Sequence, residues 1–243
     1  MRSLKATAHR AGALYFLFMM VGLFDMLGFT GFLVPGDATS TARNVLASEG
    51  FFRFGILTDF VTLLLFLLLV VSLYHLLKSV APWHATLMLL LVAVGVTIGC
   101  INLLPKIAPL VVLHGPSYSS ALSKPQLDAL VLGFLSLNSS GNDIASLFWG
   151  LWLFPFGILV VKAPFLPRIP GLLLLLAGLG YLTAGLTSIV LPAYSQVVSQ
   201  VTMPLLLGEF PIIFWLLIKG AAMPPGSGRT SIGSEPSATV HDA

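Results

Sequence analysis

The stretch 201-VTMPLLLGEFPIIFWLLIKG-220 decides the fold, because it is apolar enough to cross a membrane yet carries Glu209 near its middle. A bilayer core needs about 20 mostly apolar residues per helix. Pro211 has no N–H to donate to the carbonyl of Leu207, and Pro204 leaves another carbonyl free. Irregular backbone is tolerated at membrane depth where it is buried in protein or lines a cavity. The stretch therefore predicts a broken membrane helix with a carboxyl group between two freed carbonyls.

Composition places the whole chain in the membrane class. Of its 243 residues, 57% are hydrophobic and 9% are charged, whereas a soluble domain has about 25% charged residues. A chain this apolar cannot cover itself with polar surface in water. Its basic residues are scattered and form no patch with interleaved aromatic residues, so we expect no nucleic-acid partner. The lipid bilayer is the partner that the composition predicts.

Six continuous apolar runs are long enough to span a bilayer, and they differ from the short alternating segments of a β-barrel. We predict an all-α polytopic bundle in which residues 1–220 form one six-helix membrane domain. Residues 221–243 are rich in Pro, Gly and Ser and should form a disordered cytoplasmic tail. The predicted spans are Gly12–Val34, Phe51–Leu77, Pro82–Leu104, Asp143–Val161, Ile169–Leu191 and Val197–Ile218.

The lysine and arginine residues near the helix ends predict the orientation. The side that holds both termini carries the larger group, which places the termini in the cytoplasm. That group is Arg2, Lys5, Arg10, Lys78, Lys162, Arg168, Lys219 and Arg229, and the opposite group is Arg43, Arg53, Lys106 and Lys124.

Short amphipathic helices are expected in the first and third outer connections. The first would begin after Asp37 as N-cap, stop at Gly50, and lie on the membrane surface. The third would include the amphipathic segment 126-QLDALVLGFLSLNSS-140. We expect these helices to act mainly as scaffolding at the outer surface.

Charged residues inside the spans point to a polar pocket. Each costs about 2.5–3.5 kcal/mol on insertion scales, so such residues usually face the bundle interior or water. At 1.5 Å per residue from the cytoplasmic basic residue, Glu209 lies about 15 Å up and Asp59 about 28 Å up. The charges thus descend from the outer surface to the midplane, which predicts an outer-half pocket with Glu209 at its base. The candidate ligand-binding residues are Glu209, Asp25, Asp59, Arg53, Asp143 and Asn102.

Three functions fit this pattern. The pocket could bind a small ligand, cation or proton for transport or sensing. The acids could instead form only a buried polar network in a structural or accessory membrane subunit. Alternatively, a carboxylate could act as acid or base in an intramembrane enzyme that works on a lipid. The usual zincin, serine-hydrolase, P-loop and dinucleotide motifs are missing, and no histidines have ligand spacing, which disfavours an enzyme, a zinc site and a cofactor. Four carboxylates with backbone carbonyls would suit a hard cation such as Ca²⁺ or Mg²⁺, although nothing in the sequence brings them together.

Four stretches carry a resemblance to a known family: 34-VPGDATSTARNVLASEGFFRFGILTDF-60, 141-GNDIASLFWGLW-152, 166-LPRIPGLLLLLAGLGYL-182 and 205-LLLGEFPIIFWLLIKG-220. Together they resemble the bacterial membrane family called domain of unknown function 4386, over roughly residues 11–220. The resemblance implies a bacterial integral membrane protein of the same multi-helix plan, which we expect in the cytoplasmic (inner) membrane, and no particular activity. It also implies that relatives often have histidine where this chain has Asn138 and Trp152. The polar positions that match the family pattern are Glu49, Arg53, Asp59, Asp143 and Glu209.

Overall fold

The computed structural model describes residues 2–29 and 31–221, and the regular structure in these residues is helical. The predicted tail at 221–243 lies outside them, except for Ala221, which is buried. Two 3₁₀ turns, Pro192–Tyr194 and Leu207–Glu209, interrupt the helices. The helices are α1 (Arg2–Gly28), α2 (Ala38–Ala47), α3 (Glu49–Leu77), α4 (Pro82–His114), α5 (Pro116–Ala121), α6 (Lys124–Leu151), α7 (Leu153–Lys162), α8 (Arg168–Val190), α9 (Ser195–Leu206) and α10 (Phe210–Ile218).

Six helical segments of the described chain are long and apolar enough to cross a membrane, which confirms the predicted all-α multi-pass bundle. Each span packs on its neighbour in chain order, and α10 packs back on α1, so the six spans close into a ring. The last span is shared between two neighbours, since α9 packs on α8 and α10 packs mainly on α1. The spans are Leu4–Gly28, Glu49–Leu77, Pro82–His114, Lys124–Lys162, Arg168–Val190 and Pro192–Ile218.

Predicted boundaries were wrong in three spans: α1 ends at Gly28 rather than at Val34, and the third and fourth spans also differ. Helix α4 does not stop at Leu104 but continues through Pro105 and Pro109 to His114. The segment 126–140 is not a separate helix but the first half of α6. Helix α4 has 33 residues and is therefore about 50 Å long, well beyond the roughly 30 Å of a hydrocarbon core. The two helices support each other along this extension, so the missing proline N–H groups do not end α4.

Helix α2 occupies the first connection, and its N-cap is the predicted Asp37. The backbone N–H of Ser40 donates to Asp37 Oδ1 at 2.9 Å, and hydrogen bonds from the Ser40 side chain and backbone hold the pKa of this carboxyl below its usual value. The helix ends at Ala47 rather than at Gly50, which lies in the first turn of α3. We call the end of the bundle that carries α2 the α2 end.

The apolar face of α2 packs on α6. Ala42 and Val45 are fully buried, while Leu46 on the same helix is exposed. The two buried residues belong to a small core at the α2 end, whose other members are Phe52, Leu110, Val131 and Leu135. Helix α2 is therefore a brace for the extended part of α6.

The main core fills the opposite half of the bundle, next to Lys78, Lys162 and Lys219. Its fully buried side chains are apolar and come from α1, α3, α4, α7, α8 and α10. The predicted contrast between a polar half and an apolar half is thus present in the described residues. Large members of this core are Tyr15, Leu69, Leu73, Met88, Phe156, Leu159, Leu174, Ile212 and Leu216.

Candidate functional site

Glu209 lies at a break in the sixth span, on the 3₁₀ turn between α9 and α10. The break precedes Pro211, whose ring nitrogen cannot donate to the carbonyl of Leu207. The hydroxyl of Tyr15 on α1 donates a hydrogen bond to Glu209 Oε2. The side chain of Tyr181 on α8 interacts with the same carboxyl group. Three elements therefore meet at one carboxyl group where the last span changes partner from α8 to α1.

A cavity of about 60 Å³ lies beside Glu209, and we call it the aromatic cavity. Trp152 lines it from a second helix break, because Pro155 cannot donate to the carbonyl of Leu151 and α6 ends there. The ring of Trp152 lies 5.2 Å from that of Phe66, centroid to centroid, and Phe66 lies 4.8 Å from Phe18. The residues that line the aromatic cavity are Phe18, Phe66, Trp149, Trp152, Tyr181 and Glu209.

A second polar group joins α1, α3 and α4 nearer the α2 end. Lys106 Nζ lies 2.5 Å from Asp59 Oδ2, with the two side chains only 12% and 21% exposed. Asp25 interacts with Asp59 and accepts a hydrogen bond from Thr58 Oγ1 at 2.9 Å. The Lys106 amine lies over the ring of Phe29, 5.4 Å from its centroid. Among the predicted site residues, Asp25 and Asp59 thus lie together. Lys106, which pairs with Asp59, was predicted only as an outer basic residue.

Arg53 belongs to an exposed ion-pair group at the α2 end. Its Nε lies 2.7 Å from Glu49 Oε1, and His114 Nε2 lies 2.7 Å from Glu49 Oε2. The side chains of Arg53 and His114 are about half exposed. Exposed pairs of this kind contribute about 0–1 kcal/mol. The group links the start of α3 to the end of α4 and lies apart from the aromatic cavity.

Asn102 and Asp143 tie neighbouring helices together. Asn102 Nδ2 donates to the carbonyl of Asn138 at 2.8 Å and to Asn142 Oδ1 at 2.9 Å. Asn138 Nδ2 donates back to the carbonyl of Asn102 at 2.7 Å. Asp143 Oδ2 accepts a hydrogen bond from Ser188 Oγ at 2.8 Å, which joins α6 to α8. Because these polar groups form hydrogen bonds with one another across helices, we interpret them as contacts that stabilise helix packing.

Gly141→Ala should lower the free energy of unfolding by about 1–3 kcal/mol, the usual range for overpacking. The added Cβ would lie 2.0 Å from Asn102 Oδ1 and would push apart the fastened helices α4 and α6. The matched control is Gly133→Ala on the same helix, where a Cβ meets nothing within 4 Å and alanine favours the helix. Denaturant unfolding in mixed micelles measures both variants, and equal losses would contradict the role given to the asparagine group.

Two further features of the described residues bear on ligand binding. In the described residues, 2–29 and 31–221, there is no group of three or more His, Cys, Asp or Glu that could hold a metal ion. A larger open cavity of about 370 Å³ lies at the α2 end, and no predicted site residue lines it. Its lining residues are Gly31, Phe32, Asn44, Ala47, Ser48 and Phe51.

Sequence comparison finds a family and a relative without an assigned function. An uncharacterized protein of Archaeoglobus fulgidus is 33% identical over 78 residues, which cover 32% of this chain and 45% of that protein. The chain thus spans less than half of the length of this curated relative, and no solved structure matches the chain significantly. A family model described as Domain of unknown function (DUF4386) matches residues 10–220. The chain belongs to this family.

Proposed function

We propose that the protein binds a proton or a small cation at Glu209, within a multi-pass bundle of the bacterial cytoplasmic membrane, for transport or sensing. Both termini would lie in the cytoplasm, as the distribution of basic residues predicts. One observation carries the proposal: Glu209 lines a cavity in the bundle and has no ion-pair partner among the described residues. The ligand roles predicted for Asp25, Asp59, Arg53, Asp143 and Asn102 are not part of it.

The missing counter-charge distinguishes Glu209 from the acids that are ion-paired. Within the described chain, Glu49, Asp59 and Asp128 have basic partners. The polar partners of the Glu209 carboxyl group are tyrosines. An ionised carboxylate held away from water costs free energy unless a charge or hydrogen bonds compensate it. Tyrosine hydroxyls donate hydrogen bonds but bring no positive charge. A proton on the carboxyl group or a cation in the aromatic cavity would supply what the tyrosines do not.

The position of Glu209 gives protonation a structural consequence. Tyr15 and Tyr181 hold the carboxyl group from α1 and α8, the two neighbours of the broken span. Hydrogen bonds to a charged acceptor are roughly twice as strong as neutral ones. Protonation would weaken this clamp at the 3₁₀ turn, where α9 and α10 can change their relative angle. The break would then act as the hinge that a transport or sensing movement needs.

Intrinsic tryptophan fluorescence should titrate with pH in the wild type and lose that transition in Glu209→Gln. Trp149 and Trp152 line the same cavity as the carboxyl group, so a change of its charge alters their surroundings. The measurement uses the full chain in detergent, with circular dichroism to show that the variant is folded. Gln keeps the size of the side chain and one acceptor oxygen for the tyrosines, and it removes the titration.

Glu49→Gln is the matched control, because it makes the same chemical change at an exposed ion pair far from the cavity. It should keep the fluorescence transition of the wild type. A wild type without any transition, or a transition that survives in Glu209→Gln, would contradict the proposal. Either result would favour the structural alternative, in which a permanently neutral Glu209 only fastens the helices.

A further inference from the structure

The aromatic cavity has an unusual lining: each residue except Glu209 is aromatic. The aromatic side chains come from α1, α3, α6, α8 and the Trp152 break, so most of the elements around the bundle contribute to the cavity. The face of an aromatic ring is negative, and it attracts a cation within about 6 Å of its centroid. Rings combined with one carboxylate are the chemistry that recognises an organic ammonium ion.

Other ligand classes fit this lining poorly. Hard metal cations take about six or more oxygen ligands, whereas the lining offers the carboxylate of Glu209 and the hydroxyl of Tyr181. An anion would lie beside the carboxylate of Glu209 without a counter-charge, since no basic side chain lines the cavity in the described part of the chain. An ammonium ion needs only a carboxylate to accept its N–H groups and soft, negative surfaces around the rest.

The volume of the cavity sets the size of the cation. The cavity measures about 60 Å³, which is small beside the roughly 300–1,000 Å³ of pockets for drug-sized ligands. A cavity of this size suits a small ion such as ammonium or methylammonium. A quaternary ion with four methyl groups is bulkier and should bind more weakly.

We propose that the aromatic cavity is a binding site for ammonium or a small primary alkylammonium ion, with Glu209 as its counter-ion. The proposal rests on the proposed function, because it names the cation that the same carboxyl group holds. A protonated Glu209 releases its proton to water when the ammonium ion enters, and the ion pairs with the carboxylate that remains. One positive charge leaves and one arrives, so the site exchanges a proton for an ammonium ion.

Titration with methylammonium chloride against sodium chloride at equal ionic strength tests this site. The full chain in detergent should show a saturable change of tryptophan fluorescence with methylammonium and none with sodium. The change should be absent in Glu209→Gln. Phe18→Leu removes one ring of the lining, so the Kd for methylammonium should rise on the order of tenfold. Because proton and ammonium compete for one carboxylate, the wild-type Kd should also rise as the pH is lowered.

Phe60→Leu is the matched control, since Phe60 is exposed on the outer face of α3 and absent from the cavity lining. It should bind methylammonium like the wild type. Equal responses to methylammonium in the wild type and Glu209→Gln, or tighter binding of tetramethylammonium, would overturn the inference. If the pH transition depends on Glu209 but methylammonium gives no response, the ammonium site is wrong and the proposed function stands. If both responses are missing, both proposals fail.

Discussion

Gly12→Ala is expected to lower the free energy of unfolding by about 3 kcal/mol, at the upper end of overpacking effects. The added Cβ would lie 2.4 Å from the backbone nitrogen of Leu217 and 2.6 Å from the carbonyl carbon of Leu216. Backbone atoms inside a helix cannot rotate away as a side chain can, so α1 and α10 would have to separate. Small residues permit such close approach between membrane helices. Denaturant unfolding in mixed micelles measures the loss.

The contact at Gly12 is where the first and last spans close the ring of helices. Ala8 and Ala11 are fully buried beside it, and His9 Nδ1 lies 3.0 Å from the carbonyl of Leu217. Tyr15 lies less than one turn further along α1, so its hydrogen bond to Glu209 depends on the same seam. Gly12→Ala should therefore also alter the pH transition assigned to Glu209.

Gly22→Ala on the same helix is the matched control for the seam. A Cβ at Gly22 would have its nearest neighbour, Thr62 Cγ2, at 3.9 Å, which is an ordinary contact. Alanine also favours the helix over glycine by up to about 1 kcal/mol, so this variant should be neutral or more stable. A loss at Gly22 as large as that at Gly12 would show that α1 is intolerant of alanine in general and that the seam has no special role.

The spans could be predicted from the sequence because each is a continuous apolar run, and hydropathy alone determines that a run enters lipid. The residues at which the spans begin and end were harder to predict. The third span was predicted to end at Leu104, just before Pro105, yet α4 passes through Pro105 and Pro109 and packs on α6. Proline disfavours a helix locally by about 3 kcal/mol, and contacts with a neighbouring helix, which are absent from the local sequence, overrode that preference.

The candidate site was likewise predictable from the sequence only in part. Spacing from the basic residues gives the depth of Glu209, and Pro211 gives the break at which it lies. Neither gives the rotation of a helix about its axis or its neighbour across the bundle. Tyr15 and Trp152 were therefore missed as site residues, because an aromatic residue in an apolar run has the same sequence signal whether it faces lipid or the cavity. Asp25 and Asp59 could both be placed in the outer half, but their contact with each other and the ion pair of Asp59 with Lys106 required the structure.

Lys106→Met should destabilise the protein by about 3 kcal/mol, the lower end of the range for removing one partner of a buried ion pair. The lysine forms an ion pair with Asp59, which in turn interacts with Asp25. Methionine keeps an unbranched apolar stem of nearly the same length, so the loss reports the ammonium group, including its contact with the ring of Phe29. The free energy of unfolding in mixed micelles at neutral pH gives the size of the effect.

A double-mutant cycle separates the charge from the packing. In the Lys106→Met background, Asp59→Asn should recover much of the lost stability, because it removes the carboxylate that lost its partner and leaves Asp25 without a like charge beside it. Arg53→Met provides the comparison at an exposed pair, where we expect less than about 1 kcal/mol. If Asp59→Asn and Lys106→Met destabilise additively, the ion pair contributes no coupling energy. The polar group of α1, α3 and α4 would then be held together by the packing of Phe29 and the hydrogen bond from Thr58.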